Sequence, residues 1–308
     1  MGTTKTSPAL GRHWGAFGFA LVALTPLSCS FVFDADTEQC NTDLDCSKRE
    51  FAGAICVAGT CQRAPTPPVD PVWGCLEGPP LVTSREVFVD VQLEVVDAVT
   101  RSPRTDATVN VCSRLDGDCE RPIVPSAPID TSGKVTFRVA QDFDGFLEVY
   151  GPKGRNEADP AFVRMLVFLP PREIVRGAAN RGVLIFDQAR MSSLSALGSP
   201  RSDPFTTMTG LIVMTALTCE GGLAGGVSYE LKTPNATPNT QPFYTVNRIP
   251  LLSVTETDAS GTGGFTSVQQ RLVQLGATLN SQQRSITPDV GVGAYVRAGW
   301  YTQVYVAP

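Results

Sequence analysis

The chain has 308 residues, enough for one or two domains of ordinary size. Charged residues make up only 18% of it, while Gly and Pro number 28 and 24, a composition that favours strands and turns over helices. A net charge of −5 and a single histidine, against nine cysteines, argue against a nucleic-acid-binding protein and a histidine-ligated metal enzyme.

Residues 1–28 have the parts of a signal peptide for export. Two basic residues precede an apolar stretch that ends at Leu27 and is too short to span a bilayer comfortably. The Leu-Ser-Cys-Ser segment that contains Cys29 resembles the lipobox of bacterial lipoproteins, which implies lipidation of Cys29, a membrane anchor and sorting to the outer membrane, facing the periplasm or the cell surface. Because Pro26 stands where a leucine is usual, ordinary cleavage that spares Cys29 remains the alternative.

The cysteine count supports lipidation. Nine cysteines in an oxidising compartment leave one unpaired, whereas removal of Cys29 leaves an even set that can form four disulfides. The disulfide candidates are Cys40, Cys46, Cys56, Cys61, Cys75, Cys112, Cys119 and Cys219.

Residues 29–62 form the anchor and a cysteine-rich module that is too short for an apolar core of its own. The wide first cysteine spacing favours disulfides over zinc. The pattern resembles short CxxDxDC…CxxGxC segments behind the anchor of secreted bacterial lipoproteins, and its connectivity cannot be read from the sequence. The module is rich in aspartate, which leaves calcium binding as an alternative to a solvated acidic segment. These aspartates are Asp34, Asp36, Asp43 and Asp45.

The Pro-rich residues 63–80 predict an extended linker. Beyond it, short runs rich in Val, Phe and Leu are bounded by turn residues, which is typical of strands. One short helix is predicted over 188–197. The first predicted strands are 87–96, 107–112, 134–139, 145–150 and 161–169, followed by 211–217 and 225–231.

An internal repeat is the clearest architectural signal in the chain. The motif D-x-S-G-x-x-x-F begins at Asp130 and again at Asp258, 128 residues later, each time after two predicted strands. Asp accepts backbone hydrogen bonds in such a turn, and Gly133 and Gly261 allow positive φ. The repeat predicts one copy over 81–206 and a second over 207–308.

The order of strands and turns resembles that of carboxypeptidase regulatory-like domains, which are small seven-stranded β-sandwiches of the prealbumin type. This resemblance implies an all-β protein with two tandem β-sandwich domains, preceded by the disulfide-rich module and the linker. Cys112 and Cys119 flank a strong Asp116-Gly117 turn signal, so they are expected to pair. Cys75 and Cys219 are then left, and their pairing would tie the first sandwich to the second.

The final predicted strand places Tyr301 and Tyr305 on one face, which is a candidate binding surface if that face is exposed. The alternative is that these rings cover the edge of the core. Basic residues are scattered without a run, so surface positions are expected for Arg271, Arg284 and Arg297, and neither nucleic acid nor a polybasic membrane patch is indicated.

The sequence lacks the residues for most catalytic sites. With His13 removed by cleavage, histidine-based triads and metal sites are excluded, and the carboxylate pairs Asp142/Asp144 and Glu256/Asp258 are interpreted as solvated turn residues. We therefore expect no catalytic residue, cofactor or metal. The predicted function is non-catalytic display of β-sandwiches for adhesion, ligand binding or assembly, with an envelope protein or polysaccharide as partner. An accessory protein of an envelope enzyme or transporter and a carboxylate-based hydrolase are the alternatives.

Overall fold

The structure is a computed structural model, and it describes residues 40–48, 54–63, 72–79, 81–157, 161–177, 181–198, 209–232, 240–247, 249–288 and 291–308. The predicted signal peptide, Cys29 and half of the predicted Pro-rich linker lie outside these ranges, as do Asp34 and Asp36. The chain divides into two compact units, Met1–Pro67 and Pro68–Pro308. Within the described ranges, no helix is long and apolar enough to cross a membrane.

The N-terminal unit consists of helix α1 (Asp43–Lys48) and the hairpin of β1 (Ala54–Val57) and β2 (Thr60–Arg63). Disulfides join Cys40 to Cys56 and Cys46 to Cys61, so all four cysteines of the predicted module are paired. The carboxylate of Asp45 accepts the backbone N–H of Thr42 at 2.9 Å and stabilises the local turn.

The C-terminal unit is almost entirely β-structure, which confirms the all-β class. Its first half contains a short 3-10 helix, two α-helices and seven strands in the described ranges: Gly74–Leu76, β3 (Phe88–Asp97), β4 (Thr108–Ser113), β5 (Val124–Ala127), β6 (Lys134–Ala140), β7 (Gly145–Tyr150), β8 (Met165–Phe168), α2 (Pro171–Val175), β9 (Arg181–Ile185) and α3 (Gln188–Gly198). The last helix lies where the sequence predicts one.

The second half contributes nine strands in the part of the chain that the structure describes: β10 (Thr209–Ala216), β11 (Val227–Leu231), β12 (Gln241–Val246), β13 (Ile249–Leu251), β14 (Thr262–Gln269), β15 (Arg271–Leu279), β16 (Arg284–Ser285), β17 (Val292–Val296) and β18 (Tyr301–Val306). The segment predicted as one final strand is therefore two strands. A turn with Gly299 at φ 70° separates them.

The sequence repeat has a structural counterpart. In the first half, β3 pairs antiparallel with β6 and parallel with β9, and in the second half β10 pairs antiparallel with β14 and parallel with β18. In the first half the remaining strands form β5-β4-β7-β8. In the second half β12 and β13 extend the β10 sheet beyond β14, and β11, β15, β16 and β17 form the other sheet. Each copy therefore supplies the two sheets of one sandwich.

The two sandwiches are joined because β18 pairs in parallel with β8, with Tyr301 opposite Met165. This pairing produces a nine-stranded sheet of order β13-β12-β14-β10-β18-β8-β7-β4-β5. A three-stranded sheet, β6-β3-β9, packs on one face of it, and a four-stranded sheet of β11, β15, β16 and β17 packs on the other. The two predicted domains thus share one sheet within a single compact unit.

Alternating side chains of the central strands enter two separate cores. On β10, Leu211 and Val213 join the core against the three-stranded sheet, while Ile212 and Met214 join the core against the four-stranded sheet. Because both faces are covered, β8, β10 and β18 are buried along almost their whole length.

Both repeat turns are closed in the same way by an aspartate. Asp130 Oδ1 accepts the backbone N–H of Ser132 at 2.8 Å, and Asp258 Oδ1 accepts that of Ser260 at the same distance. The serine hydroxyls also donate to these carboxylates, and these bonds are the largest cause of the lowered pKa of each aspartate.

The glycines of the two turns have positive φ, 78° at Gly133 and 64° at Gly261. A Cβ atom at Gly133 would lie 2.7 Å from the carbonyl oxygen of Val95, and one at Gly261 would lie 2.6 Å from that of Ala216. Those two carbonyls belong to β3 and β10, the equivalent first strands. The two turns therefore have the same geometry and approach equivalent strands.

Two expectations about exposure are wrong. Tyr301 and Tyr305 are only 2% and 6% exposed, because β18 lies inside the large sheet with a second layer on each face. Arg297, expected at the surface, is 9% exposed and lies in the turn between β17 and β18, where it pairs with a buried carboxylate.

Candidate functional site

A groove of about 930 Å³ opens between the two halves of the C-terminal unit. The β6–β7 turn and the segment after β8 line it from the first half, and the residues around β16 and the start of β17 line it from the second. The segment that follows the 3-10 helix, including Leu81 and Thr83, forms a further part of the wall. The volume lies within the range of small-molecule and peptide sites.

The groove has an apolar floor. Phe168 and Ile286 line it and are themselves buried, and the half-buried Phe143 and Val292 extend the apolar surface. Tyr305 also lines the groove, and its hydroxyl donates a hydrogen bond to the carbonyl oxygen of Gly182 at 2.8 Å. Of the two tyrosines proposed from the sequence, Tyr301 is not part of the groove wall.

Each carboxylate of the groove wall is paired with an arginine. Asp142 contacts Arg85 at 2.9 Å, and Asp144 contacts Arg114, whose guanidinium also donates to the carbonyl oxygen of Gly293 at 2.6 Å. Asp142 and Asp144 are therefore each engaged by a different arginine. The arrangement suits recognition by shape and apolar contact.

A buried ionic cluster connects the two halves beside the Cys112–Cys119 disulfide. Glu148 on β7 pairs with Arg155 at 2.9 Å and with Arg297. The Nη2 atom of Arg297 donates a hydrogen bond to the carbonyl oxygen of Gly117 at 2.6 Å. Asn110 donates to the other oxygen of Glu148 at 3.3 Å, so the buried carboxylate is satisfied from several sides.

A second cluster of the same kind lies beside the Cys75–Cys219 disulfide. The buried Glu173 on α2 pairs with Arg181 at 2.5 Å and with Arg176 at 3.5 Å. Both arginines also donate to carbonyl oxygens of the second half, Arg176 to Cys219 and Arg181 to Gly221. Both disulfides predicted in the C-terminal unit are therefore present, and each is supported by a buried carboxylate.

Sequence reasoning missed these clusters because the groups of the second half that complete them, Arg297 in the first cluster and the carbonyl oxygens of Cys219 and Gly221 in the second, are distant in the chain. One signal was available: Glu148 stands in Gly-Phe-Leu-Glu-Val-Tyr, a strand whose other positions are apolar or small. A charge in such a strand needs a buried partner. Of the other proposed carboxylate pair, Glu256 accepts a hydrogen bond from Asn280 at 2.8 Å, and Asp258 closes its turn.

No family model and no curated protein matches the chain. Among solved structures, the shaft pilin SpaA of Lactobacillus rhamnosus GG is similar over 72% of this chain and 98% of its own, with 10% sequence identity and a TM-score of 0.21. A streptococcal ancillary pilin is similar over 71% of this chain and 68% of its own, with 11% identity and a TM-score of 0.21. At such low scores, nothing about function is transferred from these pilins.

Proposed function

We propose that the protein is a non-catalytic, lipid-anchored protein of the bacterial outer membrane that displays two joined β-sandwiches and binds an envelope partner in the groove between them. Four disulfides support an oxidising compartment, since such bonds are rare in the cytosol of most organisms. The export and lipidation signals predicted around Cys29 agree with that compartment.

The observation that carries the binding proposal is the apolar floor of the groove, beneath walls whose carboxylates are already paired. An uncharged, partly apolar polypeptide segment fits this surface better than a polysaccharide, which would require many free hydrogen-bonding groups. The partner is therefore proposed to be an envelope protein.

The test is photocrosslinking in intact cells. A photoreactive side chain replaces Leu81, an exposed residue of the groove wall, and in a matched control it replaces Ile249, an exposed residue on edge strand β13. Capture of one discrete protein from position 81 alone supports the proposal. Equal capture from both positions, capture of polysaccharide, or no capture contradicts it. If the captured protein is an enzyme or transporter, this chain is its accessory protein.

The anchor is tested separately by Cys29→Ser. Fractionation of cells should move the variant from the membrane to the soluble fraction, because the only proposed lipid attachment is lost. Thr60→Ser, on β2 of the N-terminal unit, is a control that should stay with the membrane. Retention of the Cys29→Ser variant in the membrane would show that the protein is held there by another contact.

A further inference from the structure

Arg164 is a half-buried cation that has no carboxylate partner in the described part of the chain. Its guanidinium lies over the indole of Trp300, 5.0 Å from the ring centroid, and one arm donates to the carbonyl oxygen of Arg155 at 2.9 Å. Burial, and then the positive charge of Arg297, lower the pKa of Arg164.

The surroundings of Arg164 carry an excess of positive charge. Arg297 lies against the same indole, 4.7 Å from its centroid, and shares the carboxylate of Glu148 with Arg155, whose backbone carbonyl accepts the hydrogen bond from Arg164. Three guanidinium groups thus lie near one buried carboxylate, and the carboxylate of Asp116 also interacts electrostatically with Arg155, which leaves one positive charge uncompensated within the cluster. The Nε of Arg297 is also buried without an acceptor, so donors outnumber acceptors in this cluster.

Two of the three arginines are accessible to a ligand. The side chain of Arg155 is 30% exposed, and Arg164 is half-buried, whereas Arg297 and Trp300 are buried beneath them. The neighbouring Gly154 has open space where a side chain would project. None of these residues lines the groove between the sandwiches.

We propose that Arg155 and Arg164 form a binding site for a phosphate group. A phosphate anion would neutralise the excess charge, and guanidinium groups bind phosphate oxygens through paired N–H donors. The phosphate can be borne by an ester or be free in solution, because the two share the same oxygen chemistry. This site is independent of the groove proposed above, and either proposal can fail without the other.

The test measures binding of inorganic phosphate to the folded protein by calorimetry, at a constant ionic strength set with chloride. The parent should bind phosphate, and Arg164→Gln should weaken binding about tenfold or more, since a charge-assisted contact is lost. Arg138→Gln is the matched control, because Arg138 also lies near an aromatic ring but faces Asp90 across the strands. It should bind as the parent does.

Arg164→Lys keeps the positive charge but not the planar guanidinium group, so it should show an intermediate loss of phosphate affinity. It serves as a second variant if Arg164→Gln does not fold. Glycerol phosphate in place of inorganic phosphate distinguishes the sources: tighter binding indicates an ester, and weaker binding indicates the free ion. The proposal is overturned if the parent shows no binding beyond that of chloride, or if Arg164→Gln and Arg164→Lys both bind as the parent does.

Discussion

Glu148 and Arg297 are 149 residues apart in the chain and form a buried ion pair between the two halves of the C-terminal unit. Glu148 is 0% exposed on β7, and Arg297 reaches it from the turn between β17 and β18. Because the same guanidinium also binds the carbonyl oxygen of Gly117, it connects the second half to both β7 and the Cys112–Cys119 loop.

Arg297→Met should lower the free energy of unfolding by about 3 kcal/mol, because it leaves the buried Glu148 with fewer compensating donors. The double variant Glu148→Leu, Arg297→Met should lose less than the sum of the single variants, since neither member of the buried pair is left without the other. Urea unfolding followed by circular dichroism measures both. Additive losses would show that the two side chains are not coupled.

Gly133→Val and Gly261→Val should each destabilise the protein by about 2 kcal/mol or more, because a side chain would meet a carbonyl oxygen of the first strand at positive φ. Gly182→Ala on β9 is the control, since a Cβ there makes only an ordinary contact at 3.6 Å. Thermal unfolding compares the three variants. A small effect at either turn would contradict the equivalence of the two copies.

Removal of the Cys75–Cys219 disulfide by two serine substitutions should cost about 4 to 5 kcal/mol, because the bond closes a loop of 144 residues. Removal of Cys112–Cys119, which spans seven residues, should cost roughly 2.5 kcal/mol on the same chain-entropy basis. Denaturant titrations measure the difference. Thiol labelling of the unreduced, denatured protein should also find none of the eight paired cysteines free.

The stability of the protein should fall at alkaline pH. Burial raises the pKa of Tyr305 to about 12, above the value near 10 of an exposed tyrosine. The buried, neutral side chain of Tyr305 therefore contributes its full stabilisation below about pH 10, and this contribution is lost as the pH rises towards 12. Tyr305→Phe should show a shallower decline over this interval. An identical decline in the parent and the variant would place the alkaline sensitivity elsewhere.

Local patterns predicted most strands and both repeat turns. On β6, Val135, Phe137 and Val139 alternate with exposed residues, so the sequence itself shows which face is buried. The joining of the two sandwiches was not predictable in this way, because β8 and β18 meet through backbone hydrogen bonds between distant segments. The apolar run of β10 is typical of a strand buried on both faces, whereas β18 contains Thr302 and Gln303, and its burial follows from its position between β8 and β10.

The candidate sites were less predictable than the fold. Asp142 and Asp144 were identified as a pair, but the arginines that engage them come from other segments. Arg164 and Trp300 are distant in sequence and meet only because β8 and β18 are neighbours. The chemistry of these sites follows from tertiary contacts, whereas the turns follow from four consecutive residues.

The parallel pairing of β8 with β18 also has a consequence for the order of events during synthesis. Until the segment of β18 has been synthesised, β8 has an unpaired edge and β10 lacks one of its two neighbours. The first sandwich is therefore left with an open edge while the rest of the chain is still being made. Such an edge can pair with other chains, so chaperones that cover strand edges should matter more for this protein than for one built from independent sandwiches.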